Sequence, residues 1–249
     1  MSGHSKWSSI KHKKALVDSR RGQQFTKLAR AVTVAAREGG GDPDANPALA
    51  SAVQKARDAS MPKDNIERAI AKGTGAGADA QAIESVSYEG YGPGGVALLI
   101  EALTDNRNRT GAEIRHLLTK HGGSLGQPGS VAYLFDLQGV VVVDATLFSE
   151  DNLLPAVEAG ATDIAIDEDV YEIICAPADL AHVRAALEEA GVSVESAEPT
   201  QRPSTRVELA EEQARSLFRL IEALEDNDDV SAVHANYDVP SEVMERVAG

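Results

Sequence analysis

Cysteine is nearly absent: Cys175 is the only one in 249 residues. It can close no internal disulfide and cannot build a thiolate metal site alone, which fits a reducing compartment. Long apolar runs are missing as well. Stretches such as Val96–Ile100 and Val140–Val143 fall far below the roughly 20 residues of a membrane span, so no membrane partner is expected. The opening Met1-Ser-Gly-His-Ser-Lys6 is polar and basic. It lacks the apolar centre of a secretory signal, and the expected location is cytoplasmic.

Catalytic and metal patterns are equally scarce. There is no P-loop. Glu113-x-x-His116 matches half of a di-iron motif without a second copy, and such sites need further carboxylates on facing helices. Gly90-Tyr-Gly-Pro-Gly-Gly95 spells G-x-G-x-x-G, but a strand pattern follows where the dinucleotide fingerprint requires a helix. A turn between strands explains it. No enzyme activity, metal, cofactor or small-molecule substrate is therefore expected, and a hydrolase or metalloenzyme ranks last among the function classes.

What is present is a soluble globular composition, 43% apolar and 25% charged, long enough for two or three domains. The net charge of −15 hides a segregation. Residues 1–72 hold 14 Lys and Arg against 7 Asp and Glu, whereas residues 73–249 hold 10 against 32. Residues 1–37 carry nine bases and a single acid, Asp18. A basic end on an acidic body is the pattern of a polyanion-binding segment.

Periodicity supplies the organisation. After a basic arm over Gly3–Arg21, Phe25, Leu28, Ala29, Val32, Ala35 and Ala36 recur at helical spacing, with Lys27, Arg30 and Arg37 on the opposite side. Gly39–Gly41 stops this helix. Asn46-Pro47 reads as an N-cap followed by proline at the first helical position, and a third helix runs from Pro62 to a capping Gly73. Gly73–Gly77 is the best linker. Strands are expected at Ser85–Glu89, Val96–Leu103 and Val131–Phe135, with a helix at Asn106–His121. A βαββαβ series then occupies Val140–Ser196, including a helix at Glu150–Ala159 and a last strand at Val192–Ser196. Arg206–Leu209, the helix Glu211–Leu224 and Val230–Tyr237 complete the unit begun at Val96. The expected fold class is α+β with three domains: an N-terminal three-helix bundle plus two α/β sandwich, ferredoxin-like domains, one inserted in the other. The boundaries are 1–75, then 76–136 with 205–249, with 137–204 inserted.

The candidate nucleic-acid-binding residues follow from charge. Lys6, Lys11, Lys13, Lys14, Arg20, Arg21, Lys27, Arg30 and Arg37 supply the charge density that neutralises phosphates and releases counterions. Trp7 lies among bases, where an indole can stack on a nucleobase or anchor the arm on the bundle. His12 adds a polar contact. Arg107 and Arg109 stand in Thr104-Asp-Asn-Arg-Asn-Arg-Thr110 at the opening of a helix, where they can reach phosphate or pair with local carboxylates. The acidic residues of the body would be repelled by phosphate and leave room for a protein partner there.

A series of uncommon words, in order along almost the whole chain, resembles the YebC/PmpR family. They are Gly3-His-Ser-Lys-Trp7, Lys11-His-Lys-Lys14, Phe25-Thr-Lys-Leu28, Asp42-Pro43 with Asn46-Pro47, Met61-Pro-Lys-Asp-Asn-Ile66, Tyr88-Glu-Gly-Tyr-Gly-Pro93, Thr104–Thr110 and Gly129-Ser-Val131. Gln23 replaces a frequent lysine of that family and Tyr133 a common tryptophan. The resemblance implies a three-domain, cytoplasmic non-enzyme, usually described as a DNA-binding transcriptional regulator. Some members, including a mitochondrial translational activator, are associated instead with ribosomes, translation and relief of stalling. The expected function is therefore a nucleic-acid-binding regulator of gene expression of the transcriptional type, the alternative being a ribosome- or RNA-associated translation factor. No helix-turn-helix reading head is recognisable in the sequence, which favours recognition of shape and backbone.

Overall fold

The computed structural model describes residues 18–75, 83–167 and 169–248. Helix α1 (Asp18–Gly39) already runs at Asp18, five residues before the apolar periodicity becomes visible in the sequence. Helices α2 (Pro47–Asp58) and α3 (Lys63–Gly73) complete a bundle. Its core is formed by Leu28, Val32, Ala36, Leu49, Val53, Ala56, Met61, Ile66 and Ala69. Asn46 caps α2 by accepting from the Leu49 N–H at 3.1 Å. Its buried amide also donates to the Ala35 and Gly40 carbonyls, so one side chain ends α1 and starts α2. Gly73 has a different role from the one expected of it. It is the last helical residue, and a Cβ there would overlap the Thr33 carbonyl and Ala36. The glycine permits close packing of α3 on α1; Gly75, at φ +93°, is the residue in the left-handed region. The rest of the expected linker, residues 76 and 77, lies outside the described residues.

The bundle belongs to the same compact unit as a sheet of order β3-β1-β2-β9, made of β1 (Glu84–Tyr91), β2 (Ala97–Thr104), β3 (Ser124–Leu125) and β9 (Val230–Ala235). Helices α4 (Arg107–Lys120) and α7 (Glu211–Glu225) pack on it through Ile114, Leu118, Leu217, Phe218, Ile221 and Leu224. The glycine-rich stretch between β1 and β2 is a short 3-10 turn, Pro93–Gly95, with positive φ at Gly94 and Gly95. A strand follows it, so it is a hairpin element and not a phosphate cradle. Strand β8 (Val207–Glu208) falls within the expected Arg206–Leu209 but stays outside the main sheet, pairing in parallel with β10 (Tyr237–Asp238), which is separate from β9 where one strand over Val230–Tyr237 was expected. The terminal helix α8 (Ser241–Ala248) had no signal strong enough to be expected.

Residues 134–206 form the second compact unit. The chain order is β4 (Phe135–Asp144), a 3-10 turn, α5 (Leu154–Glu158), β5 (Ala161–Asp167), β6 (Val170–Cys175), α6 (Leu180–Glu189) and β7 (Val194–Pro203). The antiparallel sheet order β5-β6-β4-β7 gives the ferredoxin-like arrangement. The fold is thus α+β with three domains, one α/β domain being inserted in the other. Three expected elements differ. The helix over Glu150–Ala159 is a 3-10 turn, Glu150–Leu153, followed by one turn of α-helix whose start holds Pro155. The last strand runs on to Pro203, through Pro199, because β7 lies at a sheet edge where a missing N–H costs no ladder bond. Val131–Phe135 is not a strand: Ala132–Leu134 is a 3-10 turn, and β4 starts at Phe135.

Glu89 explains that last difference. Its buried carboxylate accepts N–H bonds from Gly129 at 2.6 Å, Val131 at 2.6 Å and Ala132 at 2.8 Å. Backbone donors that a ladder would have used are therefore committed to a side chain. Burial pushes this carboxyl up, but the backbone donors outweigh that and hold it below the ordinary range.

Candidate nucleic-acid interface

The residues expected to contact nucleic acid divide into three groups. Lys6, Trp7, Lys11, His12, Lys13 and Lys14 lie outside the described residues. Arg20 and Arg21 fall on the first turn of α1. Lys27, Arg30, Arg37, Arg107 and Arg109 have defined partners within the protein.

The partner of Lys27 lies at the end of α7, and those of Arg30 in the connection from α7 to β9. The last carbonyls of a helix have no intrahelical donor and carry its negative dipole end, so a cation placed there is stabilised. The Lys27 ammonium donates to the Glu225 carbonyl, and Arg30 Nη1 donates to the Asp228 carbonyl at 3.1 Å. Arg30 also donates to Asp229 Oδ1 at 2.8 Å. Asp229 is buried at the entrance to β9, and its other oxygen accepts from Arg109 Nη2 at 2.7 Å and Thr110 Oγ1 at 2.7 Å. Thr110 in turn contacts Thr104 Oγ1 at 2.7 Å. One carboxylate thus joins α1 of the bundle, α4 and the α7–β9 connection. Burial raises the Asp229 carboxyl, and hydrogen bonds from Arg109, Thr110 and Arg30 more than reverse this, leaving it below the usual range. Arg109 is correspondingly held above its ordinary value by the hydrogen bond it donates to Asp229.

Arg37 donates to the Ile83 carbonyl just ahead of β1. Arg107 forms an exposed pair with Glu84 at 3.2 Å, the kind of contact that water and salt readily screen. Asn106 caps α4 by accepting from the Arg109 N–H at 3.1 Å. The outward face of α4 carries Arg107, Arg109, Arg115, His116 and Lys120 with Glu113 as its one acid. Bases are also exposed on the bundle, at Arg57, Lys63, Arg68 and Lys72. The helical spacing of Arg109, His116 and Lys120 opposite Ile114 is readable in the sequence, whereas the exposure of the α2 and α3 cations has no comparable signal because acids are interspersed with them.

Chemically the exposed cations of this surface suit an anion. Among the described residues no three His, Cys, Asp or Glu side chains stand together as a metal site. The open groove of about 370 Å³ between α4 and Asn227 holds His116 and Glu113, and the latter accepts from Asn227 Nδ2 at 2.8 Å. Cys175 is buried in the core of the 134–206 unit, and burial pushes its thiol up, away from the reactive thiolate. No described helix is long and apolar enough to cross a membrane.

Comparison with known proteins now decides the family. Residues 5–76 match the model of the TACO1/YebC N-terminal domain, and residues 83–237 that of the TACO1/YebC second and third domain. The chain belongs to the TACO1/YebC family. A relative in Rubrobacter xylanophilus, named a probable transcriptional regulatory protein, is 57% identical over 250 residues and covers both chains completely. One of the same name in Thermobifida fusca is 52% identical over 249 residues, again across both chains. A crystal structure of a conserved hypothetical protein from Aquifex aeolicus has a TM-score of 0.82 at 47% identity, covering 91% of this chain and 94% of that one. The TACO1/YebC assignment agrees with the resemblance carried by the sequence words, and the three-domain α+β architecture agrees with that neighbour.

Proposed function

We propose that the protein is a non-enzymatic, DNA-binding regulator of transcription that grips the phosphate backbone with its cationic N-terminal end. The observation that carries this reading is the charge segregation, nine bases against one acid in residues 1–37 of a chain whose net charge is −15. The relatives' names support the regulatory class. Hydrogen bonds inside the protein support a division of labour among these residues. Lys27, Arg30 and Arg109 spend their donors on Asp229 and the end of α7, so their main role is to fix α1 on the body of the protein. Lys6, Lys11, Lys13, Lys14, Arg20 and Arg21 then supply the phosphate contacts, with Trp7 and His12 between them and Arg37 and Arg107 as flanking cations. Contacts of this kind give affinity and register without reading sequence.

The test is competition at 150 mM salt between duplex promoter DNA and ribosomes or structured RNA, using the full chain. Preference for duplex DNA is the expected result, and displacement of DNA by equimolar ribosomes overturns the transcriptional reading. Reversing Lys11, Lys13 and Lys14 to glutamate should weaken binding to all DNA sequences alike. It should also flatten the salt slope by about 0.9 per lost phosphate contact.

A further inference from the structure

The unit of residues 134–206 holds 15 acids and three bases, and its charge is not evenly spread. Between residues 144 and 169 stand eight carboxylates with no lysine, arginine or histidine. The same stretch carries four large aliphatic side chains in solvent: Leu147 is 69% exposed, Leu154 60%, Val157 51% and Ile166 57%. Single exposed aliphatics are ordinary, but a cluster of them on a monomer marks an interaction site.

The fold brings these four to one corner. Helix α5 packs on β5, presenting Leu154 and Val157 outward while Leu153 and Ala156 enter the core. Ile166 pairs in register with Tyr171, which belongs to that core, so Ile166 points to the sheet face that α5 covers. The Ala145 N–H donates to the Asp169 carbonyl at 2.7 Å, which ties the loop bearing Leu147 to the turn after β5. Strand β5 is also an edge of its sheet.

We infer that the α5–β5 corner is a docking surface for a basic protein segment with apolar anchors, a partner distinct from the nucleic acid. Charge selects this occupant. A second copy meeting the corner symmetrically would set two stretches rich in carboxylates and free of bases against each other, and like-charge juxtaposition opposes that. Nucleic acid and anionic lipid are repelled in the same way. A segment that places leucine-type side chains on Leu147, Leu154, Val157 and Ile166 while its lysines or arginines meet exposed acids of the same stretch, such as Glu150, Asp151 and Glu158, satisfies both terms.

The probe is a labelled amphipathic peptide of leucine and lysine, titrated against the full chain by fluorescence anisotropy. Leu154→Ser with Val157→Ser should weaken its binding about tenfold, as expected for central anchors, and Ile166→Ser should weaken it to a smaller extent. Both variants should melt with the parent protein, because the replaced side chains are already in solvent. Glu211→Lys with Glu212→Lys on α7, an acidic pair in the other compact unit, should change binding less than about twofold. Equal binding of the peptide by parent and patch variants overturns the proposal, because attraction is then by charge alone. So does a sedimentation shift showing that the patch variants dissociate a dimer, which makes a second copy the occupant. A peptide of residues 1–17 that binds the corner more tightly than the probe, and loses that binding in the same variants, also overturns it by naming the chain's own basic end.

Discussion

The unit containing the bundle and the unit of residues 134–206 treat charge in opposite ways. In the first, buried carboxylates are fully committed: Asp229 takes Arg30, Arg109 and Thr110, and Glu89 takes three backbone N–H groups. In the second, acids outnumber bases fivefold and most carboxylates stand in water, while aliphatic side chains share that surface. Committed charge specifies which elements meet, because a buried ion left without its partner costs several kcal/mol. Solvated charge specifies little about the fold, and is available to steer partners.

The contrast can be broken most severely at Asp229. Asp229→Ala strands Arg30 and Arg109, and about 2–4 kcal/mol of stability should go, the lower end reflecting the partial exposure of both arginines. Calorimetry of the full chain measures this, and a drop under about 1 kcal/mol would remove Asp229 as the joint between bundle and sheet. Next comes Glu89→Gln, which keeps the shape but replaces a charged acceptor, at about 1.5–3 kcal/mol. Both carboxyls are held below their ordinary range in the folded protein. Their contribution is therefore complete above the unfolded carboxylate range, near pH 4, and is lost as pH falls through the lowered folded values. The parent should lose melting temperature more steeply than Glu89→Gln on acidification below about pH 4, and parallel curves would deny Glu89 this role.

Gly73→Ala forces a methyl against the Thr33 carbonyl and should cost about 1–3 kcal/mol, seen as a lowered urea midpoint at unchanged slope. Smallest is the paired change Leu154→Ser with Val157→Ser in the acidic unit, expected to stay within about 0.5 kcal/mol of the parent. That ordering sharpens the comparison, since substitutions of equal chemical severity matter where groups are committed and hardly at all where they are solvated.

The same division explains what could be read in advance. Asn46-Pro47 announced the start of α2 because capping is settled within four residues, and the apolar stripe of α1 announced the bundle. The ferredoxin-like series was legible because each strand and helix repeats its period locally. Gly73 misleads because a cap and a close helix contact use the same residue, and only the position of Thr33 separates them. The strand expected at Val131–Phe135 failed because Glu89, forty-two residues upstream of Val131, takes its donors. Pairing Arg30 with Asp229 spans 199 residues, a distance at which spacing carries no signal, so cations that look alike along α1 have different partners.

The two ends of the 134–206 unit lie side by side: the Ser204 N–H donates to the Leu134 carbonyl at 2.8 Å, and Phe135 pairs with Pro203. Meanwhile β2 and β9, from opposite sides of the excursion, are neighbours in one sheet. The inserted portion is therefore a cassette on adjoining stems. Excised and replaced by a short turn, it would leave every strand pairing of the β3-β1-β2-β9 sheet in place, because none of them uses a residue between 134 and 206.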